Sequence, residues 1–263
     1  MKIALIDSGI GLLAATAAVR RLRPDADLVL SFDPEGMPWG PRTPEGITER
    51  ALAVAEAAAA RHPDALIVGC NTATVHSLPA LRARLEPGIP VIGTVPAIKP
   101  AVAAGGPVAI WATPATTGSA YQRGLIESFA DGVPVTEVPC WGLAEAVEHA
   151  DQAAVDAAVR AAAELTPDDV RTVVLGCTHY ELLAERIRAA VQPPGAAPVV
   201  LHGSAVAVAA QALRRIGALP APDAPATGTV TVLLNGREGE LPEAALGYAE
   251  AGLLRTASPA ASQ

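Results

Sequence analysis

Short runs of aliphatic and β-branched residues alternate along the chain with longer Ala-rich segments, in which polar residues recur at helical spacing. Short apolar runs between turn residues are typical of buried strands, and the longer amphipathic segments are typical of helices. The alternation predicts an α/β fold in which parallel sheets carry helices on both faces. Strands are predicted at Ile3–Ile6, Leu28–Ser31, Ala65–Val68, Val91–Gly93, Val108–Trp111, Val135–Val138, Val173–Leu175, Val199–Leu201 and Val230–Leu234. Helices are predicted over residues 11–23, 45–60, 77–86, 118–130, 143–163, 181–191, 205–216 and 242–252.

Two segments of this pattern are nearly alike: DALIVGCNTAT (Asp64–Thr74) and RTVVLGCTHYE (Arg171–Glu181). In each, a predicted strand ends at a Gly-Cys pair that is followed by small hydroxyl or amide residues. The matching order indicates an internal duplication. It predicts one thiol, Cys70 or Cys177, at the carboxyl edge of each sheet, where open α/β sheets place their ligands.

The duplication divides the chain into two predicted domains. The first comprises residues 1–97 plus 209–263 and carries Cys70, and the second comprises residues 98–208 and carries Cys177. This division predicts that the chain leaves the first domain, builds the second and then returns.

The two ends of the chain also carry information. Asp7 interrupts the apolar stretch that a signal peptide would need, and no run approaches the roughly 18 apolar residues of a membrane span. The closing segment, Gly228–Leu254, has a predicted strand and helix that are expected to pack on the first half. The last residues, Arg255–Gln263, are predicted to form a frayed tail. We expect a soluble cytoplasmic protein.

The composition narrows the classes of partner and cofactor. A formal charge of −8 and a pI near 5.1 argue against nucleic acid or an anionic membrane as a partner, although a small anionic substrate stays compatible. The only lysines, Lys2 and Lys99, have no convincing site for pyridoxal phosphate. The cysteine and histidine spacing does not fit a zinc site, so no metal is expected. Cys140 is interpreted as a small buried hydrophobic residue.

The two matched cysteines are the candidate acid/base groups. A free thiol titrates near about 8.5, so Cys70 and Cys177 need assistance to act at neutral pH. His179 can take the proton of Cys177, and Asp7, at the end of the first strand, can play the corresponding part near Cys70. Paired thiols with such partners indicate two-sided acid/base chemistry. Donors for a substrate carboxylate are expected from Ser8, Asn71, Thr72, Thr116 and Thr178.

Two other interpretations of these residues stay open at this point. The run Gly9–Ala14 fits G-x-G-x-x-A, and Asp33 follows a second strand at about the distance of a ribose-binding acid, which is the pattern of an NAD-binding oxidoreductase. A Cys-His hydrolase would use Cys177 and His179 but would leave Cys70 unexplained. The Pro- and Gly-rich loop over residues 33–46 is dense enough in turn residues to carry function in either case.

Taken together, the motifs resemble the glutamate racemases within the cofactor-independent aspartate/glutamate racemase family. The resemblance runs through IALIDSGIG, GMPWG, IVGCNTAT, IGTVPAIKPA, WATPATTGSAY, EVPCWGLAEAVE and VLGCTHYELL, so it covers nearly the whole chain. It implies two pseudo-twofold-related doubly wound α/β domains with parallel sheets and the active site between them. It further implies an amino-acid substrate and no cofactor. Members of the family often form homodimers, while the sequence itself does not specify an oligomeric state.

The resemblance also implies a role for each site residue. Cys70 and Cys177 become the acid/base thiols, the first acting on the D-isomer and the second on the L-isomer. Asp7 assists Cys70, whereas His179 and Glu148 assist Cys177. The implied reaction interconverts L- and D-glutamate and supplies D-glutamate for peptidoglycan. Substrate contacts are implied at Asp7, Ser8, Trp39, Gly40, Asn71, Thr72, Thr116, Thr178 and His179.

Several positions depart from the family pattern. Trp39 replaces a Tyr, Leu12 replaces a Gly, Glu181 replaces a Pro, Gly203 replaces an acid, and Trp141 stands where Pro is frequent. None of these changes removes a catalytic group. Trp39 would add bulk beside the substrate, which keeps aspartate or another amino acid open as the substrate of the same mechanism. A protein that only binds a partner is a further alternative, against which the two matched thiols argue.

Overall fold

The computed structural model describes residues 1–192, 195 and 197–254, so the predicted tail, Arg255–Gln263, lies outside the described residues. The chain forms two compact units, Met1–Thr94 together with the chain from Ala205 onward, and Val95–Ser204. The junctions fall at 94/95 and 204/205 instead of the predicted 97/98 and 208/209. Ile98 already belongs to the core of the second unit, and the helix that begins at Ala205 packs as a whole on the first.

The described residues contain ten strands and ten α-helices, with three short 3₁₀ segments at Ile10–Leu12, Thr178–Leu183 and Glu243–Gly247. The strands are β1 (Lys2–Asp7), β2 (Asp27–Phe32), β3 (Ala65–Val68), β4 (Val91–Gly93), β5 (Val108–Ala112), β6 (Val135–Pro139), β7 (Thr172–Leu175), β8 (Val200–His202), β9 (Val230–Leu234) and β10 (Arg237–Gly239). The helices are α1 (Leu13–Leu22), α2 (Pro44–Ala59), α3 (Asn71–Leu85), α4 (Ile98–Ala103), α5 (Ala120–Phe129), α6 (Leu143–Glu148), α7 (Gln152–Glu164), α8 (Ala184–Val191), α9 (Ala205–Arg215) and α10 (Ala249–Gly252).

Each unit is built on one sheet. The first sheet has the order β10-β9-β2-β1-β3-β4, in which only the pair β9 and β10 is antiparallel. The second sheet has the order β6-β5-β7-β8 and is parallel throughout. The order β2-β1-β3-β4 therefore recurs as β6-β5-β7-β8, which supports the predicted duplication. Parallel strands buried on both faces explain why the apolar runs are continuous and do not alternate.

The predicted strands agree closely with the structure, whereas some helices have other bounds: α3 begins at residue 71 and not 77, α8 at 184 and not 181, and α10 covers only 249–252 of the predicted 242–252. All nine predicted strands are present, and β9 pairs with β2 while α10 packs on α1, as expected for the closing segment. The sequence does not predict β10 or α4. The single helix predicted over 143–163 is two helices, because Ala150 has a φ of 51° and the Asp151 side chain caps α7 by accepting the N–H of Ala154 at 3.0 Å.

The core of each unit consists mainly of aliphatic side chains. In the first unit, residues of β1, β3 and α2 are completely buried, among them Ile6, Val68 and Ala55. Burial of one such Val or Ile side chain stabilises the fold by roughly 1.5–3 kcal/mol. Among the described residues, no helix combines the length and the apolar character that a membrane crossing requires.

Candidate active site

The two Gly-Cys loops are built in the same way. The N–H of Gly69 donates to the carbonyl of Ile6 at 2.8 Å, and the N–H of Gly176 donates to the carbonyl of Trp111 at 2.7 Å. A Cβ at Gly69 would lie 2.7 Å from the Cβ of Leu12, and one at Gly176 would lie 2.7 Å from the Trp111 carbonyl oxygen. Glycine is therefore required at both places by the close approach of the neighbouring strand or loop.

Cys70 lies at the carboxyl edge of the first sheet. Its backbone is extended, with φ −131° and ψ 124°, and it directly precedes α3, whose first residues are Asn71 and Thr72. The Cys70 side chain is half-buried against the core of the first unit. Because the N-terminus of a helix favours negative charge, this position suits a thiolate.

Asp7 is the last residue of β1 and is completely buried. Its Oδ1 accepts the backbone N–H of Ser8 at 2.6 Å, and the Ser8 hydroxyl lies 3.4 Å from the same oxygen. Since β1 and β3 are parallel neighbours with Ile6 opposite Val68, Asp7 lies at the same edge of the sheet as Cys70. A buried acid at a sheet edge is a candidate for a functional group with a perturbed environment.

Cys177 is connected to two further side chains in the second unit. Its Sγ lies 3.7 Å from Nδ1 of His179, and Nε2 of His179 lies 2.8 Å from Oε2 of Glu148. The side chains of His179 and Glu148 are 13% and 12% exposed. In the neutral tautomer that donates Nε2–H to Glu148, Nδ1 carries no proton. It can therefore accept the proton of the Cys177 thiol. The three groups can therefore act as a proton relay.

Neighbouring residues fix the turn that carries this relay. Tyr180 is completely buried, its N–H donates to the carbonyl of Cys177 at 3.0 Å, and its hydroxyl donates to the carbonyl of Cys140 at 3.5 Å. The Cys140 thiol is itself buried and donates to the carbonyl of Val138 at 3.5 Å. Burial raises the pKa of Cys140 to about 12, so this thiol stays protonated and behaves as a small hydrophobic residue, as the sequence predicts.

The loop after β5 presents the predicted substrate contact Thr116. The hydroxyls of Thr113 and Thr116 are 3.1 Å apart and share a hydrogen bond. The carboxylate of Glu137, on β6, accepts the N–H of Gly118 at 2.8 Å and the side-chain amide of Gln122 at 2.6 Å. Glu137 therefore holds the end of this loop, a role that a residue inside a strand does not signal in the sequence.

Trp39 lies in the core of the first unit. Its side chain is 1% exposed, and its Nε1–H donates to Oδ2 of Asp33 at 2.8 Å. The other oxygen of Asp33 accepts from the Arg50 guanidinium at 2.8 Å and from the N–H of Gly36 at 3.1 Å. The structure thus directs the indole inward, while Gly40 lies exposed on the loop.

The same contacts bear on the dinucleotide-binding alternative. Asp33 is almost completely buried, and both of its carboxylate oxygens are engaged by protein donors. A ribose-binding acid must present a free oxygen to the ribose hydroxyls, so Asp33 does not fit that role. Among the described residues, no three His, Cys, Asp or Glu side chains are grouped so that they could hold a metal ion.

Comparison with known proteins identifies similar sequences and structures. A sequence model for the family described as Asp/Glu/Hydantoin racemase matches residues 12–211. Glutamate racemase of Pectobacterium carotovorum is 38% identical over 215 residues, which cover 77% of this chain and 73% of that protein. Glutamate racemase of Aliivibrio fischeri is 37% identical over 194 residues, which cover 72% of each chain. The crystal structure of Escherichia coli glutamate racemase, in complex with L-glutamate and the activator UDP-MurNAc-Ala, has a TM-score of 0.72 and 30% identity to this chain, covering 89% of this chain and 88% of that chain.

Proposed function

The chain belongs to the Asp/Glu/Hydantoin racemase family and is an isomerase, and on that premise we propose that it interconverts L- and D-glutamate without a cofactor. The observation that carries the proposal is the recurrence of one Gly-Cys loop at the carboxyl edge of both sheets. We propose an acid/base partner for each thiol within its own unit: Asp7, at the same sheet edge, for Cys70, and His179, at 3.7 Å, for Cys177.

In the proposed reaction, one thiolate removes the α-proton from one face of the amino acid and the other thiol delivers a proton to the opposite face. The electron pair left on Cα is delocalised into the α-carboxylate until the second proton arrives, so charge and protons balance. Cys177 acts as the base on the L-isomer, and Cys70 then supplies the proton that forms the D-isomer. The reverse reaction exchanges these roles.

The partners of the two thiols differ because the two strands ahead of them end differently. Ile6 and Trp111 occupy matching positions, since each accepts the N–H of a glycine that precedes a catalytic cysteine. The next residue is Asp7 in the first unit and Ala112 in the second. The second unit therefore lacks an acid at this position, and we propose that the pair His179 and Glu148 takes over its role.

The proposed substrate contacts are the small polar groups at the two sheet edges. Hydroxyls, one amide and the backbone N–H groups that begin α3 are suited to bind the carboxylates of glutamate. We propose these contacts at Ser8, Asn71, Thr72, Thr116 and Thr178, with the loop at Trp39 and Gly40 contributing through its backbone.

The position of Trp39 removes the reason to expect a substrate smaller than glutamate. The aspartate alternative depends on the bulk of the indole beside the substrate. The indole is instead packed in the core of the first unit and hydrogen-bonded to Asp33, which supports a pocket that is not narrowed by this substitution.

The first test is to incubate the purified protein with L-glutamate in D₂O without added cofactor. Circular dichroism should show loss of optical activity, and proton NMR should show deuterium at Cα. Cys70→Ser and Cys177→Ser should each reduce racemisation by at least about 10³-fold, since each removes one acid/base group. Cys140→Ala is the matched control and should keep near-wild-type turnover. Deuterium exchange on aspartate but not on glutamate would identify aspartate as the substrate. No exchange on any amino acid would refute the racemase proposal.

We further propose that the protein acts in the cytoplasm, where it supplies D-glutamate for peptidoglycan, and that it forms a homodimer. Expression of the gene should restore growth of a bacterial strain that requires added D-glutamate, and the Cys177→Ser variant should not. Light scattering coupled to size-exclusion chromatography should give twice the chain mass of 26.6 kDa, and a monomer mass would refute the dimer.

A further inference from the structure

We propose that Glu181 is a positioning residue, which holds the turn carrying Cys177 and His179, and that Gly203 is small because the Glu181 carboxylate occupies the space of a side chain at 203. Both positions depart from the pattern of the family that the sequence resembles. Pro is common at the first of them and an acid at the second. The structure indicates that the two departures form one unit.

The contacts of the Glu181 carboxylate carry this inference. Its Oε1 accepts the backbone N–H of Ser204 at 2.8 Å and the Ser204 hydroxyl at 2.8 Å. A Cβ built on Gly203 would lie 2.2 Å from Oε2 of Glu181 and 2.5 Å from its Cδ. Ser204 is only 4% exposed, so its two donors depend on this acceptor.

The space at 203 can thus hold one side chain or the Glu181 carboxylate, but not both. With glycine at 203, the carboxylate of Glu181 occupies the space that an acidic side chain at 203 would take. The negative charge at this location is therefore kept. An aspartate at 203 would meet the Glu181 carboxylate with both a steric clash and a like charge. The two substitutions are therefore expected to depend on each other.

The anchor matters because of where Glu181 lies. It belongs to the 3₁₀ segment Thr178–Leu183, which follows Cys177 directly and also contains His179. The hydrogen bonds of 3₁₀ turns have poorer geometry than those of α-helices, so such a turn depends on side-chain anchors. Tyr180 anchors one side of the segment, and Glu181 anchors it to Ser204. Release of the second anchor should loosen the 3.7 Å contact between Cys177 and His179.

The catalytic meaning of this inference rests on the proposed function, but one of its tests does not. Peptide-resolved alkylation by iodoacetamide compares Cys177 with Cys70 in the same molecule. Because His179 can accept the proton of Cys177 as the thiol reacts, loss of this contact slows the alkylation of Cys177 alone, so Glu181→Ala should lower the ratio of the two rates by about three- to tenfold. It should also lower kcat/KM by about tenfold, because the relay is displaced. Glu181→Gln keeps one acceptor oxygen and should stay within about twofold of wild type.

A double-mutant cycle tests whether the residues at 181 and 203 depend on each other. Glu181→Pro and Gly203→Asp should each lower kcat/KM and the ratio of the Cys177 and Cys70 alkylation rates. The variant with both changes should return to within about threefold of wild type in both values. Glu185→Gln, on exposed Glu185 of α8, is the matched control and should change neither value.

Three results would overturn the inference: an unchanged alkylation ratio in Glu181→Ala, a harmless Gly203→Asp, or a double variant no better than the worse single one. If the wild type racemises no amino acid but the alkylation ratios follow the expected pattern, the proposed function fails and the anchor stands. If Glu181→Ala does not fold, Glu181→Gln and the double variant decide the outcome.

Discussion

The carboxylate of Glu148, at the end of α6, lies 2.8 Å from Nε2 of His179, whose Nδ1 lies 3.7 Å from Sγ of Cys177. As an acceptor for Nε2–H, this carboxylate favours the tautomer in which Nδ1 carries no proton. Helix α6 ends at this residue, and Ala150, two residues later, has a left-handed φ of 51°. The break between α6 and α7 thus places an acid at a helix end, where it meets the relay. Without this break, Glu148 would lie inside a longer helix and not at the end of one.

The first prediction concerns this acid. Glu148→Gln keeps the shape but removes the charge that stabilises the protonated imidazole, so kcat/KM should fall by about 10- to 100-fold. The fall must be equal from both isomers, because the equilibrium constant between enantiomers is one. The α-deuterium isotope effect should rise more for the L-isomer, since Cys177 is the base that we propose for that proton. Equal isotope effects from both sides would contradict the assignment of Glu148 to Cys177.

The second prediction concerns the two glycines that precede the cysteines. Gly69→Ala and Gly176→Ala each introduce a Cβ about 2.7 Å from a neighbouring atom, so the loop must shift. We expect a loss of about 1–3 kcal/mol in the free energy of unfolding and of about 100-fold in kcat/KM.

Gly124→Ala provides the control for these two variants. Gly124 lies in α5, and a Cβ added there would meet no atom of another element within 4 Å, so alanine should leave activity unchanged and stabilise the helix by about 0.5–1 kcal/mol. Urea unfolding and racemisation assays measure both quantities. Full activity of Gly69→Ala and Gly176→Ala would show that the close approach is not needed for catalysis.

The third prediction concerns Trp39. Trp39→Phe removes the donor to buried Asp33 and should lower the free energy of unfolding by about 1–3 kcal/mol. Because the indole is packed in the core, Trp39→Phe and Trp39→Tyr should change the ratio of kcat/KM for glutamate and aspartate by less than about threefold. A change of tenfold or more would show that this side chain selects the substrate after all.

The fourth prediction concerns the pH dependence of stability. Burial raises the pKa of Cys140 from an ordinary value of 9.0 to about 12. The unfolded chain loses this proton first, so the stabilisation is complete below pH 9 and is lost as the pH rises from about 9 towards 12. Between pH 9 and pH 10 the wild type should lose about 1 kcal/mol more than Cys140→Ala. Urea unfolding under reducing conditions measures this difference, and a constant difference would refute it.

The sequence predicts the sheets well because their strands are buried on both faces. In the sequence such strands are continuous aliphatic runs, and the turn residues at their ends mark where each strand stops. The Gly-Cys pairs can be recognised for the same reason, since each follows such a run directly. The start of α3 is harder to predict: its first turns contain Asn71, Thr72 and Thr74, which are weak helix formers.

The parts of the site that depend on distant contacts could not be predicted from the residue pattern. Glu148 resembles a surface residue of an amphipathic helix, and only the family resemblance connects it with His179. The inward direction of Trp39 depends on Asp33 and Arg50. Arg50 lies in the next helix, α2. No periodicity reports such pairings, because they arise when separate elements pack together.

The strand β9 has a consequence for how the protein is made. It completes the first sheet beside β2 with residues 230–234, although β2 is finished by residue 32. A ribosome that synthesises the chain from its N-terminus therefore delivers all of Val95–Ser204 before the first sheet can close. The second unit is continuous in sequence and can fold during translation. The edge of β2 stays unpaired until β9 is synthesised near the end of the chain. During that interval the unpaired edge of β2 is open to pairing with a neighbouring polypeptide.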